Sequence, residues 1–490
     1  MSYIRIKHTT LFLALILWAA ACSPSYLPDR VDTGSEFGFI PDGPDFVIAA
    51  NPAYSEDGTA YLSTTVDLLV SSLIFRRSDD NGQAADVVIT YTLLPQDAGD
   101  EAEPVNVIRK SEEFSFSPSS NSIIPGYQRE RVDNRFAIDP GDYVLQVTVH
   151  DQTSNQQNTR VRNVSLPDSE SNRIRVSDIN IKGIPIDRDE DPYGVGTYNI
   201  PSSIDSLDFS FFVINPDDSG RFILNMRLIR FESDLRPAGG LSEINRSVSS
   251  LERRGINYGN AEIISEQIRE FTGETGAIEI NFNVPLPEIG NYRFEVFVTQ
   301  DEDQGRADAL RFVARDFGVR TSFFPEVVEP YELAAPLIYL MNNRRYRELM
   351  KKRDDPEELL RAVEYFWVSN LGSTEKARRV MALYYERVVN ANRRFTTFKE
   401  GWKTDLGMIF ILFGPPFYAE RIGSSGIRWT YGYDSTDPTR VFLFRQTRIG
   451  SDRFPFNHFT LERQSFYHNV QYQRVQDWLS GHVLERQFPF

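Results

Sequence analysis

From Pro44 to Ala314 the chain reads as β-structure throughout. Short runs rich in β-branched and aromatic residues, several alternating with polar ones, lie between clusters of Gly, Pro, Asn and Asp: Asp86 to Leu94, Tyr143 to Val149, Leu207 to Asn215, Arg221 to Phe231, Ala277 to Val284 and Tyr292 to Val298. A period of two buries one face of a strand and wets the other. Repeated without helical stretches between, it predicts antiparallel sandwiches rather than βαβ units. Beyond Pro325 and Pro330, which mark a linker, the period changes. Leu359, Leu360, Val363, Phe366 and Trp367 recur at helical spacing behind Pro356-Glu357-Glu358, a favourable helix opening. Ala377, Val380, Met381, Tyr384 and Val388 form a matching stripe behind Ser373, a capping residue. Helices are expected over Leu333 to Asn343, Arg344 to Lys352, Pro356 to Asn370 and Ser373 to Arg394.

The β region contains a repeat. The segment Ile138 to Val149 is echoed by Pro287 to Val298, 149 residues later; each copy turns at a glycine (Gly141, Gly290) and enters a strand at a tyrosine (Tyr143, Tyr292). This resembles the penultimate strand of immunoglobulin-like domains, where a tyrosine at the strand start hydrogen-bonds back across the corner. Two copies at domain-sized spacing imply two tandem immunoglobulin-like β-sandwiches, 44–168 and 172–318, then a linker over 319–332 and a helical segment over 333–398. The class expected is mainly β with an α+β C-terminal part.

Residues 399–490 are expected to form a small antiparallel sheet with a C-terminal helix. Gly401 would permit a backbone turn that folds Trp402 onto the helices, its indole N–H needing a partner, and Thr404 and Asp405 would hydrogen-bond backbone amides. Met408 to Phe413, apolar throughout, is expected as a central strand covered on both faces, stopped by Gly414-Pro415-Pro416 because proline cannot donate to a ladder. Gly426 to Gly432 and Arg440 to Arg445 supply two further strands. Val470, Tyr472, Val475, Trp478 and Leu479 mark a helix that ends at Gly481.

The N-terminus bears on compartment. Arg5 and Lys7, the apolar run Leu11 to Trp18 and Ala19-Ala20-Ala21 make a secretory signal over 1–21, its apolar core shorter than the ~20 residues that span a bilayer. Cys22, the only cysteine, follows directly, where a bacterial lipoprotein signal places the residue to be lipidated; residues 22–43 then read as a tether. With Cys22 as anchor, no disulfide, zinc–cysteine site or thiol nucleophile is available. Ser23 rather than an acid follows it, which favours the outer membrane facing the periplasm. Charge is uneven: residues 1–320 carry 29 Lys and Arg against 49 Asp and Glu, whereas 321–490 carry 24 against 20. An acidic front argues against nucleic acid as a partner.

The run Gly401-Trp402-Lys403-Thr404-Asp405, preceded by Asn392-Arg393-Arg394-Phe395 and followed by Met408 to Phe413 and Gly414-Pro415-Pro416, resembles the GWxTD-domain proteins, a bacterial family of unknown biochemical role. The resemblance covers residues 380–446. Leu406, Met408 and Phe417 stand where family members carry polar residues, so no role of those positions transfers. Asp405 is a candidate carboxylate and Thr404 a candidate nucleophile, with Lys403, Arg393, Arg394 and Arg428 as candidate anion holders. Acid–base work calls for a histidine or second carboxylate at a defined distance. His458 and His468, ten residues apart, follow no metal spacing, and no GxSxG elbow, phosphate loop or dinucleotide fingerprint is present. The acidic stretch Asp187 to Pro192 lacks the glycine and terminal glutamate of an EF-hand loop. No catalytic residue, metal or cofactor is assigned. Two readings stand: a noncatalytic, lipid-anchored interaction protein that presents its C-terminal domain to an envelope protein, and an envelope hydrolase or glycan-processing enzyme with a site at the GWxTD corner. The first needs Trp402 buried and Asp405 bonded to backbone; the second needs Asp405 in a polar cleft with another titratable group in reach.

Overall fold

Alternation becomes structure in the first sandwich. Along the strand Gln83–Pro95 every second residue from Ala85 to Leu93 is buried, and these side chains meet Phe46, Ile48, Leu62, Val66 and Leu68 from the opposing sheet. One sheet orders Phe46–Tyr54, Ala60–Leu69 and Arg129–Ala137; the other orders Ile108–Phe116, Gln83–Pro95, Gly141–Asp151 and Gln156–Leu166, with Arg76–Arg77 also on Gln83–Pro95. The computed structural model describes residues 30–32 and 43–485, apart from 56–57, 78–82, 97–106, 118–127, 188, 217–220, 244–249, 302–304, 424, 433–436, 448 and 450–455. The signal expected over 1–21, Cys22, most of the expected tether and residue 188 of the acidic stretch lie outside the described residues.

The second sandwich pairs Ile256–Thr272, Arg221–Ser233, Gly290–Thr299 and Arg311–Arg320 in one sheet. In the other, Ile204–Asn215 lies between Gly276–Pro285 and Asn180–Pro185. Two short parallel strands, Arg30–Asp32 and Asn199–Pro201, complete the edge of Arg311–Arg320. The tether expected over 22–43 is thus corrected at its middle, where three residues are built into the second sandwich. Both tyrosine corners form: the Tyr143 hydroxyl donates to the Asp139 carbonyl at 2.8 Å and Tyr292 to the Glu288 carbonyl at 2.7 Å. Phe212 and Ile214, on the outer face of the second sandwich, join the core of the first. The backbones meet so closely there that a Cβ on Gly196 would lie 1.8 Å from the Ile48 carbonyl oxygen.

Helices take over at α1 (Pro330–Ala334), followed by a 3-10 turn over Ala335–Tyr339, α2 (Asn343–Met350), α3 (Pro356–Leu371) and α4 (Thr374–Phe395). The single helix expected over Leu333 to Asn343 is broken, since Asn342 caps α2 by accepting from the Arg345 N–H. Asp355 and Ser373 cap α3 and α4 in the same way, and Gly372 ends α3 in the left-handed region. Leu360, counted in the buried stripe of α3, is exposed, while Leu359, Val363, Phe366 and Trp367 are buried.

The largest departure is Met408 to Phe413, a helix and not a strand: α5 spans Asp405–Phe413 and all nine of its residues are buried. A helix covered on every side has no polar face, so its sequence carries no 3.6-residue period and reads like a buried strand. Thr404 caps its start, and Gly414, at φ 84°, ends it. The strands Tyr418–Ile422, Gly426–Thr430, Val441–Thr447 and His458–Leu461 form an antiparallel sheet in that order, and α6 (Tyr467–Ser480) closes the domain. The separate segments expected over 333–398 and 399–490 share one core, in which Trp367, Tyr384, Ile409, Phe413, Phe442 and Trp478 pack around α5.

Candidate functional site

The motif begins where α4 ends. The Thr396 hydroxyl donates to the Asn392 carbonyl at 2.6 Å and accepts the Gly401 N–H at 2.8 Å, while the Asn392 side chain accepts the Trp402 N–H at 3.1 Å. These bonds press a 3-10 turn, Gly401–Lys403, onto the backbone of α4. A Cβ on Gly401 would stand 1.9 Å from the Ala391 carbonyl oxygen, and one on Gly407 the same distance from that of Gly401. Gly401 therefore serves close approach between backbones and not the turn conformation expected of it. Trp402 is 7 % exposed, edge-on to Tyr339, whose hydroxyl donates to the Trp402 carbonyl at 2.8 Å. Its indole N–H makes no hydrogen bond among the described residues.

Thr404 uses its whole hydroxyl. It donates to the Gly401 carbonyl at 2.8 Å and accepts the Gly407 N–H at 3.0 Å, which leaves no free nucleophile. Asp405, at the positive end of the α5 dipole, accepts the Leu461 N–H at 2.8 Å and two N–H groups of Arg463 at 2.5 and 3.0 Å. Arg463 also donates to the carbonyls of Gly240 at 3.0 Å and Gly239 at 3.3 Å, in the second sandwich's segment after Ser233. Burial alone would raise the Asp405 pKa; the Arg463 guanidinium and the Leu461 N–H outweigh it and hold the carboxyl below the ordinary range.

Further charges line the same seam. The buried Lys399 ammonium donates to the Arg236 carbonyl at 2.8 Å and to Asp234 at 3.3 Å; burial lowers its pKa and Asp234 opposes the fall. Glu400 stands 2.7 Å from Lys403, which with Arg320 keeps it ionised against burial. Arg320, on the last strand of the second sandwich, donates to the Thr397 carbonyl at 3.4 Å. Phe398 packs against Ile229, Phe231 and Ile256 of that sandwich. Behind the motif, Arg387 and Arg474 donate to the Ile411 and Leu412 carbonyls, two cations at the negative end of α5. The Tyr431 hydroxyl donates to the Gly414 carbonyl at 2.8 Å, while Pro415 and Pro416 lead the chain to the surface.

The other candidates divide. Lys403 is engaged by Glu400, Arg393 by Glu326 and Arg428 by Glu420. Arg394 is one of the residues that line a cleft of about 460 Å³ beside the motif, as Thr404 and Leu406 are. His458 is buried beside that cleft, its Nδ1 3.4 Å from the Thr397 hydroxyl, whereas His468 and His482 are exposed elsewhere. No group of three potential ligands is placed to hold a metal among the described residues. Burial, with the Lys399 charge, pushes the His458 pKa down to about 4. An unfolded chain takes up this proton below about pH 6.5, so stability should fall as the pH drops from there to about 4, by up to ~3 kcal/mol. Urea midpoints across that range should show the fall, and His458→Phe should flatten it.

Residues 303–480 match the family model of the GWxTD domain. The C-terminal part of this chain carries a GWxTD domain. No curated protein matches it. Among solved structures it is similar to red sea bream transglutaminase, with 10% identity over 56% of this chain and 31% of that one at a TM-score of 0.16. It is also similar to Salmonella alpha-2-macroglobulin reacted with methylamine, with 14% identity over 60% of this chain and 17% of that one at a TM-score of 0.17. The native conformation of E. coli alpha-2-macroglobulin gives 13%, 56% and 16% at 0.16. The chain spans under a third of the length of each.

Sequence reasoning found the GWxTD motif and missed the groups that complete it. Arg463 lies 58 residues from Asp405 and Lys399 lies 165 from Asp234. No local pattern links such partners. A buried lysine between Phe398 and Glu400 was the one signal available, since lysine is seldom buried without a charge to meet it.

Proposed function

We propose that this GWxTD domain-containing protein is a lipid-anchored, noncatalytic interaction protein of the cell envelope, attached through Cys22 to the outer membrane and facing the periplasm. Its sandwiches act as a rigid mount for the GWxTD domain, which meets an envelope protein partner; nucleic acid is not its ligand. The observation that carries this reading is the state of Asp405. Both carboxylate oxygens are occupied by Arg463, one of them also by the Leu461 N–H, and Arg463 reaches across to the second sandwich. A carboxylate so engaged neither takes nor gives a proton near neutral pH. It holds the joint between mount and presented domain. The anchor rests on the order of basic residues, apolar run, alanines and Cys22 in the sequence.

Metabolic labelling with palmitate should mark the wild-type chain and not Cys22→Ser, which should also leave the membrane fraction. Capture from detergent-solubilised envelope should recover the same partner with wild type and with Cys22→Ser, but not with Trp402→Ala. An unlabelled wild type would overturn the anchor. A Trp402→Ala chain that retains every partner although its GWxTD domain has unfolded would overturn the presentation of that domain as the recognition surface.

A further inference from the structure

The cleft beside the motif owes its existence to the register of the small sheet. Ala419 pairs with Trp429 and Arg421 with Ile427, so Ala419 and Arg421 face inward with them toward the end of α4. The strand Tyr418–Ile422 is exposed along its whole length, and the short Ala419 side chain leaves open space beside Trp429, whose ring is in contact with that of Phe395 at a centroid distance of 5.5 Å. Phe395, Trp429 and Phe459 line the resulting 460 Å³ space together with Arg394, Arg421 and Glu420. That volume lies within the range of small-molecule pockets, and apolar walls with a few convergent polar groups are their usual make-up.

Two features mark it as a built site and not a packing flaw. His458 lines the cleft although it is 4 % exposed, and apart from the contact of Nδ1 with Thr397 its ring makes no hydrogen bond among the described residues. That leaves Nε2 available to a polar atom of a ligand. Arg421 is exposed and makes no ion pair among the described residues, while the neighbouring Glu420 is engaged by Arg428 at 3.0 Å.

We propose that this cleft binds a carboxylate ligand whose apolar body has the size of one aromatic residue: the ring against Trp429 and Phe459, the carboxylate on Arg421, and a polar atom of the ligand on His458. Planar guanidinium groups suit carboxylates, and aromatic walls suit a ring stacked or set edge-on. A free aromatic acid and the C-terminal residue of a peptide share this chemistry. The site does not depend on the anchor, and palmitate labelling at Cys22 is unaffected by changes in the cleft.

Calorimetric titration of the full chain with N-acetyl-phenylalanine, its amide, and a tetrapeptide ending in a free phenylalanine carboxylate tests the proposal. The acid should bind, the amide at least about tenfold more weakly. Arg421→Ala should weaken the acid about tenfold with an unchanged unfolding midpoint, and Ala419→Trp, which fills the space, should abolish binding. A tetrapeptide that binds more tightly than the acid supports the site with a peptide terminus as its natural ligand; equal affinity supports it with a free acid. Acid and amide binding alike, wild-type affinity in both variants, or no binding of either carboxylate below about 10 mM would overturn it.

Discussion

Asp405→Ala should destabilise the GWxTD domain by ~3–5 kcal/mol, because it leaves the Arg463 guanidinium buried without its counter-charge. Against a total of ~5–15 kcal/mol for a typical domain, such a loss would leave part of the population open at 37 °C. The measurement is unusually clean in this chain. Of the five tryptophans, Trp18 lies in the segment read as a secretory signal and the other four, Trp367, Trp402, Trp429 and Trp478, belong to the GWxTD domain. Tryptophan fluorescence therefore reports this domain and not the sandwiches. Asp405→Asn should lose nearly as much, since an amide turns a donor toward Arg463. The double change Asp405→Leu with Arg463→Met should recover most of the loss, because exchanging a whole buried pair for apolar groups is often neutral. The pH dependence has a definite sign. The folded carboxyl has a pKa below its unfolded value, so its contribution is present above about pH 4 and fades as the pH falls through the folded value. Asp405→Asn should lack that last acid-induced loss while keeping the earlier one from His458. If its fluorescence midpoint matched wild type at neutral pH, Asp405 would not be the fastening of the seam.

What could be read from the sequence followed from how each element is buried. Strands such as Gln83–Pro95 and Gly141–Asp151 bury alternate residues, so their period survives in the sequence. The tyrosine corners were visible because a tyrosine two residues beyond a glycine recurs at domain spacing. Helices α3 and α4 announced themselves through an amphipathic stripe and through Pro356 and Ser373 at their starts. Helix α5 did not, because its surroundings are apolar on all sides; yet Thr404 followed by Asp405 is a cap and a first-turn acid, and these two polar residues were the only trace of its true start. The pairing of Arg30–Asp32 with Val313–Arg315 joins segments about 280 residues apart and has no local signature at all. The same holds for the seam. Motif residues could be named, but not what they touch, since Arg463, Lys399 and Asp234 become neighbours only after two domains have folded against each other.

Gly401→Ala should prevent the GWxTD domain from reaching its native packing, with a loss above ~3 kcal/mol, at or beyond the upper end of overpacking costs. The added methyl would sit 1.9 Å from the Ala391 carbonyl oxygen, and the obstructing atoms on both sides are backbone. A side chain could rotate away; the main chain of α4 can move only by breaking the bonds from Gly401 and Trp402 to Thr396 and Asn392. Gly407→Ala should behave alike, because its methyl would meet the Gly401 carbonyl oxygen at the same separation and lift α5 off the turn. Gly259→Ala, in the second sandwich, is the control for a methyl added where there is room, read by the circular-dichroism unfolding midpoint that follows the sandwiches. Its nearest neighbour is the Asn257 side chain at 3.6 Å, and it should shift the midpoint by under ~0.5 kcal/mol. Limited proteolysis adds a second readout, since chains with either motif alanine should be cut within 330–485 while the sandwiches persist. If Gly401→Ala gave a protease-resistant domain with a wild-type fluorescence midpoint, the close backbone approach at the motif would be wrong, and the glycine would need another explanation.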